Sequence, residues 1–391
     1  MKKLLVIAVA LASVNAFATR ARVNALGNSV HLIDTNTVHS NPADMFFVGG
    51  DYVTAEAGVG SSAAGIGSGD VTQVGPPANT ARDGQNNAEG MVVRSWGDAK
   101  AGLSIGHMST LATSLRNLAG ATVAQGGLNA LPSRGSFLQQ NPVGLFYGMK
   151  AGDLAWAAGL NYSNFASKTG INEKETSMGL VAGMRMGAMD ARLGLGLGNT
   201  YQNDIDGKFE GTSGITGAFG YWLDTTYLSA NLTTAGFKTS STTGVDTGKY
   251  QSTSYGVSAT NSLKKDGSEF FYGAGLQSTE AKITQGPAPT AEKTTTTLNV
   301  PVTLGLEVDA TTWLVLRGSV TQSIPLLGSA KTSTSTSTSS ETGPGSTNTA
   351  FAAGAGLKFN KITLDGTMLA GGSQTYGTNA LLGQVGLTYM F

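Results

Sequence analysis

The chain is poor in Cys and His, two residue types that often perform catalysis. It contains no Cys and three His residues, which excludes thiolate chemistry, disulfides and Cys-based metal sites. Asp34, His39 and Ser40 supply the residue types of a hydrolytic triad, but a triad is defined by geometry and roles rather than by closeness in sequence. No phosphate-binding loop, metal-ligand spacing or dinucleotide fingerprint occurs either. The sequence therefore predicts a protein that is not an enzyme and that uses no cofactor or metal.

Charged side chains at regular positions indicate a different chemistry, the selection of solutes by charge. They alternate with apolar residues in strand-like segments, so each falls on the face opposite to the apolar one. A Lys or Arg facing lipid at mid-depth costs about 2–4 kcal/mol, which favours an inward position if these segments cross a membrane. The candidates for lining a channel are Lys100, Arg185, Arg192, Glu307, Arg317, Lys358 and Asp365.

Two interpretations of these inward charges stay open. In the first they form interior ion pairs, such as Arg317 with Glu307, that stiffen the wall. In the second they form a charged ring that selects solutes. Because Lys and Arg outnumber Asp and Glu among the candidates, the second interpretation predicts a weakly anion-selective lumen.

The segments that carry these charges have the alternation and the length of membrane strands. From Leu298 to Val308 every even position is apolar and every odd one is polar or small, and Leu154, Trp156, Leu160 and Tyr162 share one face of another segment. Such segments are about ten residues long, which suffices for a tilted strand to cross a bilayer. Their succession predicts an all-β fold, a transmembrane antiparallel β-barrel.

Short and long connections alternate between the segments. Short turns are predicted at sites such as Gly97-Asp98, Ala151–Asp153 and Asn360-Lys361, and longer polar stretches join the other ends. Outer-membrane barrels have short periplasmic turns and long extracellular loops, so the pattern also assigns the sides. The spacing gives about 16 strands, or 14 if the weak segments Tyr52–Val59 and Glu89–Trp96 are not both membrane strands.

The beginning of the chain predicts export. Residues 1–18 have the layout of a secretory signal peptide, in which Lys2 and Lys3 precede an apolar run and Ala16-Phe17-Ala18 offers a cleavage site. The run, Leu4–Val14, is too short to span a membrane as a helix.

The last segment, Leu381–Phe391, alternates like a strand with lipid on one side. Its final aromatic residue, Phe391, makes it resemble the closing strand of Gram-negative outer-membrane barrels. That resemblance implies that Phe391 is an assembly signal, read by the barrel-assembly machinery, and that the protein lies in the bacterial outer membrane.

The stretch 19–50 is too irregular for a strand and precedes the predicted barrel, 51–391. It contains Asn24–Ser29 (NALGNS) and Ser40–Met45 (SNPADM). These residues resemble the mature N-terminus of the FadL/OmpP1-like and PorV-like outer-membrane families. In the fatty-acid transporters this region forms a hatch inside the barrel, so the resemblance implies a plug-like segment. The apolar patch Met45–Val48, which is suited to packing against a barrel wall, makes a plug plausible without the resemblance.

The long connections contain Thr/Ser-rich tracts, at Thr239–Thr243, Thr294–Thr297 and Thr332–Ser340. Their low complexity predicts flexible loops. Leu111–Leu131 instead has apolar residues spaced for a short helix, either a cap over the barrel mouth or a loop folded into the channel that narrows it.

Composition narrows the function. Lys+Arg and Asp+Glu balance at 25 each, so there is no basic excess for binding nucleic acid. We expect a porin-like outer-membrane channel for passive passage of small solutes. The alternatives are a FadL-like transporter of hydrophobic compounds and a structural or surface-recognition barrel acting through its Thr/Ser-rich loops. The expected partners are outer-membrane lipids, lipopolysaccharide and the barrel-assembly machinery, and homo-oligomerisation stays open.

Overall fold

The structure, a computed structural model, is a closed antiparallel β-barrel of 16 strands with a short extra strand at its rim. It describes residues 19–58, 88–109, 139, 142–168, 172–204, 207–285, 291–334, 338–343, 348–371 and 384–391. The signal peptide predicted at 1–18 and the helix predicted at Leu111–Leu131 lie outside these residues. Within the described ranges, no helix combines the length and the apolar character needed to cross a membrane.

All strand pairs are antiparallel, and nearly all join strands that are consecutive in the chain. The strands are β1 Tyr52–Gly58, β2 Ala88–Trp96, β3 Ala99–Ile105, β4 Val143–Ala151, β5 Leu154–Ser167, β6 Glu173–Met186, β7 Met189–Asn203, β8 Gly207–Leu223, β9 Thr226–Ser240, β10 Asp246–Lys265, β11 Ser268–Gln285, β12 Ala291–Asp309, β13 Leu314–Thr334, β14 Thr338–Thr342, β15 Asn348–Phe359, β16 Ile362–Gly371 and β17 Gln384–Met390. Residues Leu314–Ser323 of β13 pair with β15, and residues Ser329–Ser333 pair with β14. β14 is therefore the short extra strand at the rim.

The barrel closes between its first and last strands. β1 pairs with β17 from Tyr52 opposite Met390 to Gly58 opposite Gln384, and its other edge pairs with β2. Both segments that were weak in the sequence are therefore barrel strands. The predicted number of 16 is confirmed and the alternative of 14 is wrong.

The strands alternate between an apolar outer face and a mixed inner face. On β5, Trp156, Leu160 and Tyr162 point outward and are exposed, whereas Ala155 and Ala157 point inward and are buried. Large exposed apolar side chains recur with the same period on the other strands. Apolar side chains around the outside of a closed barrel match the requirement for contact with lipid.

The short turns occur where the sequence predicted them, at one end of the barrel. Asp224 and Asn360 have φ of 54° at the first turn position, which is the conformation that two-residue hairpins demand and that Gly, Asn and Asp tolerate best. β1 begins and β17 ends at this same end. We call it the short-turn end and its opposite the long-connection end.

Two of the three Thr-rich tracts are strand where the structure describes them, and not the flexible loops that their composition predicted, whereas Thr239–Thr243 leaves β9 after Ser240 and enters a turn. Thr294–Thr297 lies inside β12, Thr332–Thr334 ends β13, and Thr338–Ser340 belongs to β14. Thr is β-branched and favours strands, and each tract pairs with a neighbouring strand. β10 to β13 have between 18 and 21 residues each, about twice what a bilayer crossing needs, so they extend beyond the membrane at the long-connection end.

Residues 19–48 lie inside the barrel, and we call them the plug segment. It comprises helix α1 (Arg20–Ala25) and two 3₁₀ helices (Asn36–His39 and Pro42–Phe46). α1 packs against β13, β15, β16 and β17, whereas the second 3₁₀ helix packs against β4, β5 and β6. The segment therefore reaches across the lumen between two walls, within the range 19–50 in which the sequence predicted a plug.

An apolar cluster anchors the end of the plug segment that leads into β1. Val38, Met45 and Val48 are completely buried against wall residues that include Val93 and Phe146. Burying a Val or Met side chain contributes about 1.5–3 kcal/mol. The patch Met45–Val48 thus packs on the barrel wall as its composition predicted.

Candidate functional site in the barrel lumen

Inward-facing glycines make room for the plug segment. A methyl group on Gly354 of β15 would lie 2.6 Å from the Cβ of Ala25 in α1. Methyl groups on Gly386 and Gly183 would collide with Thr19 and with the Asn41 side chain. Because any side chain at these positions would displace the segment, the wall and the plug segment are fitted to each other.

A buried ion cluster joins α1 to the wall. Arg22 contacts Glu307 at 2.8 Å and Asp34 at 3.0 Å, and Arg317 contacts Glu307 at 2.5 Å and also Asp365. The side chains of Asp34, Arg317 and Asp365 are completely shielded from solvent. We call these five residues the Arg22 cluster.

The Arg22 cluster holds three carboxyl groups and two guanidinium groups, so one carboxyl group lacks a cation. Burial raises the pKa of Asp34 to about 7, and attraction to Arg22 offsets this only in part. Burial alone would lower the pKa of Arg22, but Glu307 and Asp34 outweigh it and raise that pKa. The guanidinium therefore stays charged, and the Asp34 carboxyl group takes up a proton near neutrality.

We expect docking of the plug segment to weaken as the pH rises through about 7. The pKa of Asp34 is raised from 3.8 to about 7, so its stabilising contribution is complete at low pH and is lost as the buried carboxyl group ionises. Planar bilayers that contain the protein should conduct more at about pH 8 than at about pH 6.5, and Asp34→Asn should reduce this dependence. The charged or titratable groups that interact with Asp34 are Arg22, Tyr52, Glu56 and Asp365, and Glu307 and Arg317 complete the cluster through Arg22 and Asp365.

Protonation of His39 does not account for a weakening of docking as the pH rises. Burial lowers the pKa of His39 well below 6.5, so its contribution to docking is present above 6.5 and falls only on acidification. An equal pH dependence in wild type and Asp34→Asn would contradict the assignment to Asp34.

A second ion cluster fixes the other end of the plug segment. Arg185 of β6 donates to Asp44 at 2.5 Å and lies 3.5 Å from Asp190 of β7. The Tyr227 hydroxyl donates to the same Asp190 oxygen at 2.8 Å, and the Arg185 guanidinium lies 5.7 Å from the Phe47 ring centroid. We call Asp44, Arg185, Asp190 and Tyr227 the Arg185 cluster.

Further contacts between the plug segment and the wall involve histidines and Arg20. His31 Nε2 lies 3.0 Å from Glu269 of β11. The Arg20 guanidinium lies 2.5 Å from Glu89 of β2, and His107 Nδ1 lies 2.8 Å from the same carboxylate. The ring of His39 stacks on that of His107, with centroids 3.5 Å apart. Together with the two ion clusters, these contacts tie the plug segment to most of the lumen wall.

The structure does not bring Asp34, His39 and Ser40 together as a triad. Asp34 binds Arg22, Ser40 donates to the Thr37 carbonyl at 3.0 Å, and His39 Nδ1 has no hydrogen-bond partner among the residues that the structure describes. No group of His, Asp and Glu suited to a metal ion occurs in that part of the chain either.

All the residues predicted to line a channel occupy inward positions on their strands. Arg317 pairs with Glu307 as the first interpretation expected. Lys100 donates to the Gly50 carbonyl at 2.8 Å, and Lys358 binds Asp309 at 2.8 Å near the short-turn end. Arg192, by contrast, lines an open cavity. The paired residues hold the plug segment or the wall.

The sequence predicted anion selectivity from an excess of positive over negative charges on the inner face, and the structure does not show this excess. The sequence count used only residues opposite clear apolar stripes, and it missed carboxylates that also face inward and neutralise the cations. One was recognisable, because the apolar stripe through Phe270 and Tyr272 places Glu269 on the opposite face. The carboxylates of the plug segment could not be recognised, because that segment has no regular alternation of apolar and polar residues. The missed inward charges include Arg20, Arg22, Asp34, Asp44, Glu56, Glu89, Asp190 and Glu269.

A cavity of about 420 Å³ lies between the plug segment and the inner faces of β5 to β12. Gly27–Val30, His39 and Ser40 of the plug segment form one side. The strand side is rich in small and uncharged polar residues. Among its polar lining residues are Asn161, Asn199, Thr216, Asn231, Ser258 and Gln277.

Comparison with known proteins finds barrels of the outer membrane. No protein-family model and no curated protein sequence matches the chain. The translocator domain of the autotransporter NalP from Neisseria meningitidis is 13% identical over 96% of this chain and 99% of its own, with a TM-score of 0.35. OmpT of Vibrio cholerae is 13% identical over 77% and 88%, with a TM-score of 0.37.

An anion-selective porin from Comamonas acidovorans is 12% identical over 78% of this chain and 89% of its own, with a TM-score of 0.29. The structural neighbours are thus outer-membrane β-barrels of several functional kinds. The resemblance of the N-terminal residues to the FadL-like and PorV-like families stays a hypothesis.

Proposed function

We propose that this protein is a bacterial outer-membrane channel for the passive passage of small polar solutes, partly closed by its plug segment. The short-turn end then faces the periplasm and the long-connection end faces outward. In this setting the outer face contacts membrane lipid, and the Thr-rich extensions of β10 to β13 lie at the level of lipopolysaccharide.

The lining of the lumenal cavity carries this proposal. A barrel of this strand number is wide enough to enclose water, whereas one of eight strands is filled by its own side chains. Here the wall of β5 to β12 presents hydroxyl and amide groups to a cavity, which suits solutes that exchange hydrogen bonds with water for hydrogen bonds with the wall. The ion clusters fix the plug segment to the wall at the two edges of this region, at Glu307 of β12 and Arg185 of β6.

The proposal is tested by swelling of proteoliposomes in solutions of neutral sugars. Two neighbouring residues of β9 supply a matched pair of variants, because Asn231 lines the cavity and Leu232 is exposed on the outer face. Asn231→Trp should slow the swelling, and Leu232→Trp should leave it unchanged. A folded protein that permits no swelling, or equal rates for the two variants, would refute the proposed route.

A transporter of hydrophobic compounds is the second candidate, favoured by four aromatic side chains on the inner face near the long-connection end. Tyr201, Phe209, Phe237 and Tyr250 follow one another along β7 to β10, and the last two stack with centroids 4.4 Å apart. Uptake of a labelled fatty acid by proteoliposomes that do not swell in sugars would support this candidate over the channel.

Phe391 is proposed as the residue that the assembly machinery reads. It is exposed at the short-turn end of the barrel, and its ring stacks on that of Tyr389 with the two centroids 6.0 Å apart. Phe391→Asp should strongly reduce the amount of heat-modifiable, folded protein in outer membranes. Phe359→Asp is the matched control, because Phe359 is equally exposed at the same end but belongs to β15. Equal amounts of the two variants would show that Phe391 has no special role.

A further inference from the structure

Arg192 differs from the other cations that face the lumen. Arg20, Arg22, Arg185, Arg317 and Lys358 each contact a carboxylate, and Lys100 donates to a backbone carbonyl. Arg192 has no ion pair among the residues that the structure describes. Its hydrogen bond to Ser40 is a long one, 3.4 Å from Nη1 to Oγ.

The carboxylate that lies nearest along the strand is engaged elsewhere. Asp190 stands two residues before Arg192 on the same face of β7, but it accepts from Tyr227 at 2.8 Å and from Arg185 at 3.5 Å. Arg185 is shared in turn with Asp44. The guanidinium of Arg192 is therefore left with most of its donors unused, and it lines the cavity beside the plug segment.

Most polar groups around Arg192 are uncharged. Thr216 of β8 and Asn231 of β9 are the nearest in the strand register, and Asn199, Ser258 and Gln277 line the same cavity farther away. The Asp190 carboxylate also lines the cavity, but Arg185 and Tyr227 already occupy it. The uncharged groups offer both donors and acceptors. A ligand held here would meet one planar, doubly donating cation, a carboxylate that Arg185 neutralises, and a wall of hydroxyl and amide groups.

We propose that Arg192 and this wall form a binding site for a small polyhydroxylated monoanion, a sugar acid in its chemistry. Its carboxylate pairs with the guanidinium, whose fork matches two carboxylate oxygens. Its hydroxyl groups exchange hydrogen bonds with the amide and hydroxyl groups of the wall. This names a class of solute for the channel proposed above. The passage of the solute rests on that proposed function, whereas its binding does not.

Equilibrium dialysis of radiolabelled gluconate against the detergent-solubilised full protein tests the site directly. Wild type should bind gluconate saturably, and sorbitol, the neutral polyol of the same length, should compete only weakly. Arg192→Gln should weaken gluconate binding about tenfold, because the charge-assisted hydrogen bonds are lost. Arg192→Lys, which keeps the charge but not the fork, should fall between the two. Lys208→Gln, at an exposed outward position, should bind like wild type.

The outcomes separate this inference from the proposed function. Absence of saturable gluconate binding to folded wild type, or equal binding by wild type and Arg192→Gln, would overturn the site whether or not proteoliposomes swell. Binding that depends on Arg192 in a protein that permits no swelling would support the site and refute passage through the channel.

Discussion

Deletion of residues 19–48 is expected to raise the single-channel conductance several-fold. The plug segment reaches across the lumen from β15–β17 to β4–β6, so its removal leaves a bore of the width that porin-like barrels enclose as an aqueous channel. Planar-bilayer recording of the purified deletion variant beside the full protein measures the effect.

The deletion should leave the barrel itself intact. Strand pairing, including the closure of β1 with β17, involves no residue of the plug segment, and a heat-dependent shift in gel mobility checks that the variant is folded. Unchanged conductance of a folded deletion variant would show that the segment does not obstruct the pore.

Arg317→Leu should cause the largest loss of stability of any single substitution in the lumen. The Arg317 side chain is completely buried between Glu307 and Asp365, and breaking a buried ion pair by removing one partner costs about 3–5 kcal/mol because a charge is left uncompensated. The free energy of unfolding, measured by urea titration in lipid vesicles, should fall by that order.

Two controls separate the lost ion pair from a general effect of the substitution. Lys208→Leu removes an exposed ion pair with Glu210 and should change stability little, because such pairs contribute about 0–1 kcal/mol. The double variant Arg317→Leu with Asp365→Leu replaces the buried pair by apolar groups and should recover part of the loss. A single variant as stable as wild type would refute the structural importance of the Arg22 cluster.

The barrel was predictable because its determinants are local. Alternation along each strand fixes which side chain faces inward, and Gly, Asn and Asp at the short turns fix the hairpin registers. The Arg317–Glu307 pair followed from these rules, since the two residues stand opposite each other across one hairpin. The Thr-rich tracts of β12 to β14 were mispredicted because low complexity was weighed above the strand propensity of Thr.

The contacts of the plug segment were not predictable in the same way. Arg22 with Glu307 and Arg185 with Asp44 join residues 285 and 141 positions apart, and the segment has no period to show which side chains face the wall. Its fit to Gly354 and Gly183 depends on the path of the folded chain. The sequence therefore indicated a plug but not the charges that it brings into the lumen, and this is why the predicted anion selectivity lost its basis.

A reversible link between the plug segment and the wall tests our proposal that the segment limits the current through the bore. The chain has no Cys, so the variant His31→Cys with Glu269→Cys carries a single pair, at two side chains that lie 3.0 Å apart between the plug segment and β11. The variant is joined by a short, reducible bis-methanethiosulfonate cross-linker and recorded in planar bilayers at about pH 8, before and after reduction. We expect the high-conductance level of the deletion variant to be absent from the cross-linked protein and to appear after reduction, whereas that level in the cross-linked protein would show that the plug segment does not limit the current.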